Sequence, residues 1–551
     1  MVRPSKGVIV LISSSTALLF SSMICLATVR TGSVIPKPVQ MRVQDGEFRL
    51  TSATVIVVDK YSSFEGQQLS EMLSPATGFP LKVGRASKAG GPVIEIKQDP
   101  SLGKLGEEGY QLAVTPRKVT IIAPRSAGLF YGFQSLRQLL PPEIFHQTRI
   151  AQVEWTIPCV QIIDYPRFGW RGVLLDSVRY FVPKEFVKKF IDLLALHKMN
   201  CFYWHLTDDQ GWRIEIKEYP RLTEVGAWRK ETMIGRLEDD NVGNLKFDGK
   251  RHGGFYTQND IREIVEFGRV RHVNVIPDIE MPGHAQAAIA AYPELGNTGK
   301  PVEVGATWGI SENIFNVNES TIQFLQNVLT EVLDLFPSRF IGTGGDEVPK
   351  TQWKASPETQ ARIKELRLKN EEELQAYFTR RIDQFLTSKG RRMIWDEDTI
   401  EGGLAPNALV MPWRGEKAGI AAIRAGHDVV MAPDEFTYFD YYQSNDTAKE
   451  PLAIGGYLPL EVVYNYEPIP KEIPQELARH VLGAQGNLWT EYIPNPRLLE
   501  YMAFTRVSAL AEVTWTPRDK KDYAEFLERL PYHLQRLSIL DVNYRPLDAE
   551  K

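Results

Sequence analysis

Two carboxylates stand side by side in the stretch "IGTGGDEVPK", Ile341 to Lys350: Asp346 and Glu347, approached through Gly342, Gly344 and Gly345. Successive side chains at a strand end leave the backbone toward opposite faces, so such a pair suits two tasks and not one shared atom. Adjacent acids in a loop are ordinarily just solvated. Here the glycines and the flanking polar clusters argue for chemistry. Those clusters are Arg179, Asp208 and Asp209 ("HLTDDQGWR"), Asp278, Glu280 and His284 ("PDIEMPGH"), Asp440 ("YFD") and Glu491 ("NLWTE"), accompanied by Trp395, Trp413, Tyr438 and Trp489. Flat rings beside carboxylates and an arginine match a sugar, whose C–H face lies on a ring while charged groups hold its hydroxyls. A cationic substrate would also use acids and rings, but Arg179 argues against it. Asp278, Glu280 and His284 are of types that bind divalent ions, which leaves a metal site as a further alternative.

These residues can converge only if the elements between them bring strand ends together. After Pro166 the chain alternates apolar runs with amphipathic helical patterns. The runs are Trp170 to Asp176, Cys201 to Leu206, Val273 to Glu280, Phe340 to Asp346, Arg392 to Glu397, Ala408 to Trp413, Asp428 to Pro433 and Leu482 to Trp489. Between the first two, Pro183 to Lys198 opens with a proline and sets Phe186, Phe190 and Leu194 on one face. Eight strands with helical crossovers predict a parallel (β/α)₈ TIM barrel, in which the C-terminal strand ends form the active-site face. Ahead of it, residues 34–155 read as a small α+β accessory domain: short strands at Thr54–Val58, Val93–Ile96, Tyr110–Val114 and Val119–Ala123, and one helix from Ser126. The barrel is expected over 160–551.

The 551 residues are 43% hydrophobic and 24% charged, with a net charge of −5. That balance does not favour nucleic acid or an anionic membrane as a partner. Residues 1–27 carry Arg3 and Lys6 before an apolar, serine-interrupted stretch, the pattern of a secretory signal; an exported, periplasmic or extracellular protein is expected, with a membrane anchor as the alternative. Only Cys159 and Cys201 follow that segment, too few for a disulfide framework. Cys201, within "NCFYWHL", is expected to be a small buried side chain.

The chain resembles the β-N-acetylhexosaminidases of glycoside hydrolase family 20. The residues that carry the resemblance are "WRGVLLDSVRYF" (Trp170–Phe181), "HLTDDQGWRIEI" (His205–Ile216), "PDIEMPGHAQAA" (Pro277–Ala288), "GGDEV" (Gly344–Val348), "IWDE" (Ile394–Glu397), "YFD" (Tyr438–Asp440) and "GNLWTEYI" (Gly486–Ile493). The resemblance implies a retaining exo-glycosidase acting on terminal β-linked N-acetylglucosamine or N-acetylgalactosamine, in glycans or chito-oligosaccharides. In such a family the substrate's own 2-acetamido oxygen replaces an enzyme nucleophile. By that likeness Glu347 is the general acid, and Asp346 holds the acetamido N–H and stabilises the oxazolinium-type intermediate. Arg179 binds the C3 and C4 hydroxyls with Glu491 as a further ligand, and Asp440 also contacts the sugar. Trp395, Trp413 and Trp489 wall in the acetamido methyl, Tyr438 orients its carbonyl, and Asp208, Glu280 and His284 form a polar network beneath the acid. The family more often has aspartate where Glu280 stands. No metal or cofactor is implied. The alternatives are a disaccharide-releasing relative of the lacto-N-biosidase type and a sugar-binding barrel without turnover.

Overall fold

The computed structural model describes residues 33–86, 91–237, 244–397, 403 and 405–547. The expected export segment, 1–27, lies outside the described residues. The chain divides into two compact units, one built on the residues up to Tyr165 plus Glu525–Leu540, the other on Pro166–Ala524 plus the residues from Asp541.

The first unit is a mixed seven-stranded sheet. Its strands are β1 (Gln40–Arg49), β2 (Val55–Val58), β3 (Val83–Gly84), β4 (Val93–Gln98), β5 (Tyr110–Val114), β6 (Lys118–Ala123) and β7 (Thr156–Asp164), in the order β1-β7-β5-β6-β4-β2-β3. Two helices accompany it, Ser63–Thr77 and Ser126–Leu139. Only the second of these is anticipated by the sequence; Gly66 and Pro75 conceal the first. The division falls after Tyr165 and not at 155–160, because β7 belongs to this sheet. Pro158 would ordinarily exclude a strand between two neighbours, yet it sits opposite Glu47, where the register of β1 shifts and a ladder bond is already missing. Residues from near the C-terminus complete the unit. Arg529 donates to the Val34 carbonyl at 3.0 Å, and Arg536 donates to the carbonyls of Ser33 at 2.9 Å and Gln138 at 2.7 Å.

The second unit contains a closed parallel barrel. Each of the eight apolar runs supplies one strand: β8 (Trp170–Asp176), β9 (Cys201–His205), β10 (Asn274–Asp278), β11 (Phe340–Gly342), β12 (Arg392–Glu397), β13 (Leu409–Pro412), β14 (Val429–Met431) and β15 (Val481–Leu488). Leu174, Tyr203, Ile276, Ile394, Leu409, Met411 and Val430 fill its core. The register sets Asp176 beside His205, His205 beside Asp278 and Asp278 beside Gly342, so polar residues meet at one end. Strand β11 stops at Gly342, four residues earlier than expected, and both adjacent acids therefore lie on a loop. Cys159 and Cys201 are buried, and among the described residues they form no disulfide. Among the described residues no helix is long and apolar enough to cross a membrane.

Candidate active site

The C-terminal strand ends surround a cavity of about 550 Å³ lined by Arg179, Asp208, Glu280, His284, Asp346, Glu347, Trp413, Tyr438, Asp440, Trp489 and Glu491. This is a usual size for a small-molecule site. Of the residues expected there, Trp395 is not among those lining it. Ile394 points into the barrel core, and alternation along β12 turns Trp395 outward. Its indole lies in a small space bounded by Gly344, Gly345, Phe378 and Ile382. Trp395 thus backs the loop that carries the acids and does not touch the cavity. The same alternation brings Asp396 inward, a residue the sequence reading passed over.

The loop after β11 is shaped by what crowds it. A Cβ at Gly342 would fall on the Tyr203 hydroxyl and the Asp278 carboxylate, and one at Gly344 would fall inside the Glu280 carboxylate. Gly344 also has φ 57°, which costs glycine nothing. The loop is tied down by Asp396 N–H donating to Gly344 O at 3.1 Å and by Gln375 Nε2 donating to Gly345 O at 2.7 Å. Glu347 follows with φ 49°, a strained value outside glycine. The turning loop, and not strand alternation, separates the two acids. Asp346 groups with one oxygen each of Glu280 and Asp396, all within 4.8 Å of one another, and at the same range with Glu347 and His284. Glu347 lies 3.7 Å from His284 Nε2 and 3.0 Å from Arg414 Nη2.

A chain of polar contacts runs from the barrel core to Glu347. Asp278 meets His205 Nδ1 at 2.7 Å, His205 Nε2 meets Asp208 at 3.0 Å, and Asp208 meets His284 Nδ1 at 3.1 Å. Burial works against a proton on either histidine. Hydrogen bonds from His205 to Asp208 and Asp278, and for His284 the Asp208 charge and hydrogen bond, outweigh it and hold both well above the ordinary imidazole range. Burial likewise opposes charge on Asp208, but Arg179 and His284 keep it well below the usual carboxylate range. Glu280 is raised well above its usual range by burial and by the charges of Asp278 and Asp346.

Arg179 is enclosed by acids: Asp208 at 2.6 Å, Asp176 at 3.3 Å and Glu491 at 3.9 Å, with Gln210 accepting from Nε at 3.1 Å and Trp489 5.1 Å beneath the guanidinium. Trp413 and Tyr438 stack with ring centroids 6.3 Å apart. Both Asp440 oxygens and Trp413 Nε1 are buried without a protein partner. Buried polar groups are normally satisfied, so these cavity-lining atoms keep their bonding capacity for a ligand. Burial and then Glu491 raise Asp440 well above the usual carboxylate range.

The three residues of the metal alternative do not form one cluster. His284 groups with Asp208 and Asp209, whereas Asp278 and Glu280 group with His205. Both nitrogens of His205 face carboxylates, which leaves neither lone pair for an ion. The cavity also has walls to which the sequence reading gave no role, Trp308, Tyr492 and Arg236.

Comparison with known proteins agrees with this geometry. Residues 168–518 match the profile of "Glycosyl hydrolase family 20, catalytic domain", and residues 31–165 that of "Glycosyl hydrolase family 20, domain 2". A β-hexosaminidase of Porphyromonas gingivalis is 43% identical over 516 residues, covering 93% of this chain and 64% of that protein's length. The structure of the family 20 β-N-acetylhexosaminidase of Streptomyces coelicolor A3(2) superposes with a TM-score of 0.81 at 30% identity, over 94% of this chain and 98% of that one. That of the exo β-N-acetylglucosaminidase of Vibrio harveyi, solved with N-acetylglucosamine, gives 0.79 at 33% identity over 94% and 78%.

Proposed function

The chain belongs to glycosyl hydrolase family 20, and from that premise we propose that it is an exo-acting, retaining β-N-acetylhexosaminidase using the substrate's acetamido group as nucleophile. The observation that carries the reading is the pair Asp346 and Glu347: both line one cavity beside His284, with Asp346 also within reach of Glu280 and Asp396 and Glu347 paired with Arg414. Glu347, 3.7 Å from His284 and 3.0 Å from Arg414, gives its proton to the glycosidic oxygen and later takes one from water. Asp346, beside Glu280 and Asp396, accepts the acetamido N–H while the carbonyl oxygen attacks C1, and its charge stabilises the cationic ring that forms. Arg179, Asp440 and Glu491 hold the hydroxyls, and Trp413, Tyr438 and Trp489 enclose the acetamido group. The substrates are glycans or chito-oligosaccharides ending in β-linked N-acetylglucosamine or N-acetylgalactosamine. Arg3, Lys6 and the apolar stretch behind them support export as part of the same proposal.

The test is hydrolysis of an aryl β-N-acetylglucosaminide beside the matching β-glucoside. Cleavage of the first alone is expected. Equal cleavage of both would remove the acetamido nucleophile, and cleavage of neither would leave the disaccharide-releasing or purely binding alternatives.

A further inference from the structure

Three carboxylates crowd the floor of the site. One oxygen each of Glu280, Asp346 and Asp396 lies within 4.8 Å of the other two, and Glu280 and Asp396 are 3% and 7% exposed. Glu280 Oε2 and Asp396 Oδ1 are fully buried with no donor in reach. An ionised carboxylate only accepts hydrogen bonds, so like acids at this range cannot all ionise and cannot satisfy one another unless a proton lies between them. Asp278, the fourth acid nearby, is already answered by the Tyr203 hydroxyl at 3.0 Å and by His205 at 2.7 Å.

We propose that Asp396 is a positioning residue for the hydrolysis: the Glu280–Asp396 pair holds one proton, carried on Asp396, whose O–H donates a hydrogen bond to the inner oxygen of Asp346 and leaves the outer oxygen to face the sugar. The backbone supports this assignment independently. Asp396 N–H donates to Gly344 O, so the end of β12 is fixed to the loop that carries Asp346. Burial, with the charges of Asp278 and Asp346 adding to it, raises Asp396 well above the usual carboxylate range against the opposing pull of His205 and His284. The titratable groups facing the cluster are Tyr203, His205, Asp278, His284, Glu347 and Tyr438. The proposal rests on the role given to Asp346 above.

Full-length wild type, Asp396→Asn and Asp396→Leu, matched for melting temperature, are compared for kcat and KM on a dinitrophenyl β-N-acetylglucosaminide from about pH 5 to about pH 9. Such a leaving group departs without a proton, so Glu347, needed only as the base that later takes a proton from water, shapes the acid limb of the profile and not the alkaline fall. Asp396→Leu is expected to lower kcat about 10- to 100-fold, the worth of a hydrogen bond to a charged group, with KM changed far less. Asp396→Asn, whose amide donates at every pH, recovers most of that rate and moves the alkaline fall of the wild type to higher pH. A Leu variant with wild-type kcat overturns the proposal, as do Asn and Leu variants reduced equally with the alkaline fall unmoved. Should the Leu variant not fold, the position of the alkaline fall in Asp396→Asn decides. If wild type leaves the substrate intact, the functional reading fails and an infrared difference spectrum decides the proton on Asp396 separately. A protonated-carboxyl band at neutral pH that Asp396→Asn removes supports it, and an unchanged spectrum overturns it.

Discussion

At the scale of single residues, the site separates proton donation from charge stabilisation by giving neighbouring acids different surroundings. Glu347 is reached by two cations, His284 and Arg414, whereas Asp346, also near His284, has Glu280 and Asp396 around it. Glu347→Gln keeps the shape and removes the transferable proton. It is expected to slow alkyl and sugar leaving groups by about 100-fold or more, and activated aryl ones far less; steady-state rates over a series of leaving groups check this, and a uniform loss would deny Glu347 the acid role. The residues that do this work were visible in the sequence because each belongs to a motif at the end of an apolar run. Arg414 and Tyr492 adjoin such residues but were given no role, and Trp308 was not visible, since a lone ring in a loop has no spacing to set it apart.

At the scale of elements, strand β12 shows how a motif can be found while its faces are misassigned. "RMIWDE" reads plainly as a strand, but placing Trp395 in the cavity ignores its period of two: with Ile394 in the core, Trp395 must face the helix Glu371–Ser388 and Asp396 must face inward. Counting alternate residues along the run was the signal available. The early end of β11 was harder to foresee, because Gly342 is demanded by Tyr203 and Asp278, side chains more than 60 residues away in sequence. The loop that follows has similarly remote constraints. Gly344→Ala would place a methyl group inside the Glu280 carboxylate and force alanine into the left-handed region. We expect it to cost about 1–3 kcal/mol in stability and to lower kcat more than KM. Thermal melts and kinetics on one preparation check both.

At the scale of the whole molecule, buried histidines tie folding to pH. His197 is pushed down to about 4 by burial, its ring nitrogens engaged by the Leu193 carbonyl at 2.7 Å and the Ser508 hydroxyl at 2.9 Å. Its folded pKa lies below the unfolded value of 6.5, so its stabilisation is complete above that value and is lost as pH falls toward about 4, a change worth about 3 kcal/mol. Glu280, Asp396 and Asp440, raised by burial, act with the opposite sign and lose their contribution as pH rises. The wild-type melting curve therefore records a balance. His197→Asn is expected to melt lower near neutrality but to lose less between about pH 7 and about pH 4, measured by calorimetry across that range; a parallel loss would contradict the assignment. The eight-strand barrel behind this balance was legible from the rhythm of apolar runs alone. The first unit was less so, since the polar edge strand β1 and the proline-bearing β7 carry little periodic signal.

Arg529 and Arg536 give the order of synthesis a meaning. The sheet of the first unit leaves the ribosome before the barrel, yet the side chains that close over Ser33, Val34 and Gln138 are made only after the last barrel strand. Arg536 is buried and pushed down to about 9 by that burial alone, so those carbonyls are what makes its enclosure tolerable. The early unit thus waits for the late segment to reach its final stability. A fragment of residues 33–165, cut where the second-domain profile ends, should melt at a lower temperature alone than with a peptide of residues 523–540 added, and an unchanged melting temperature would show that the nascent sheet needs no such completion.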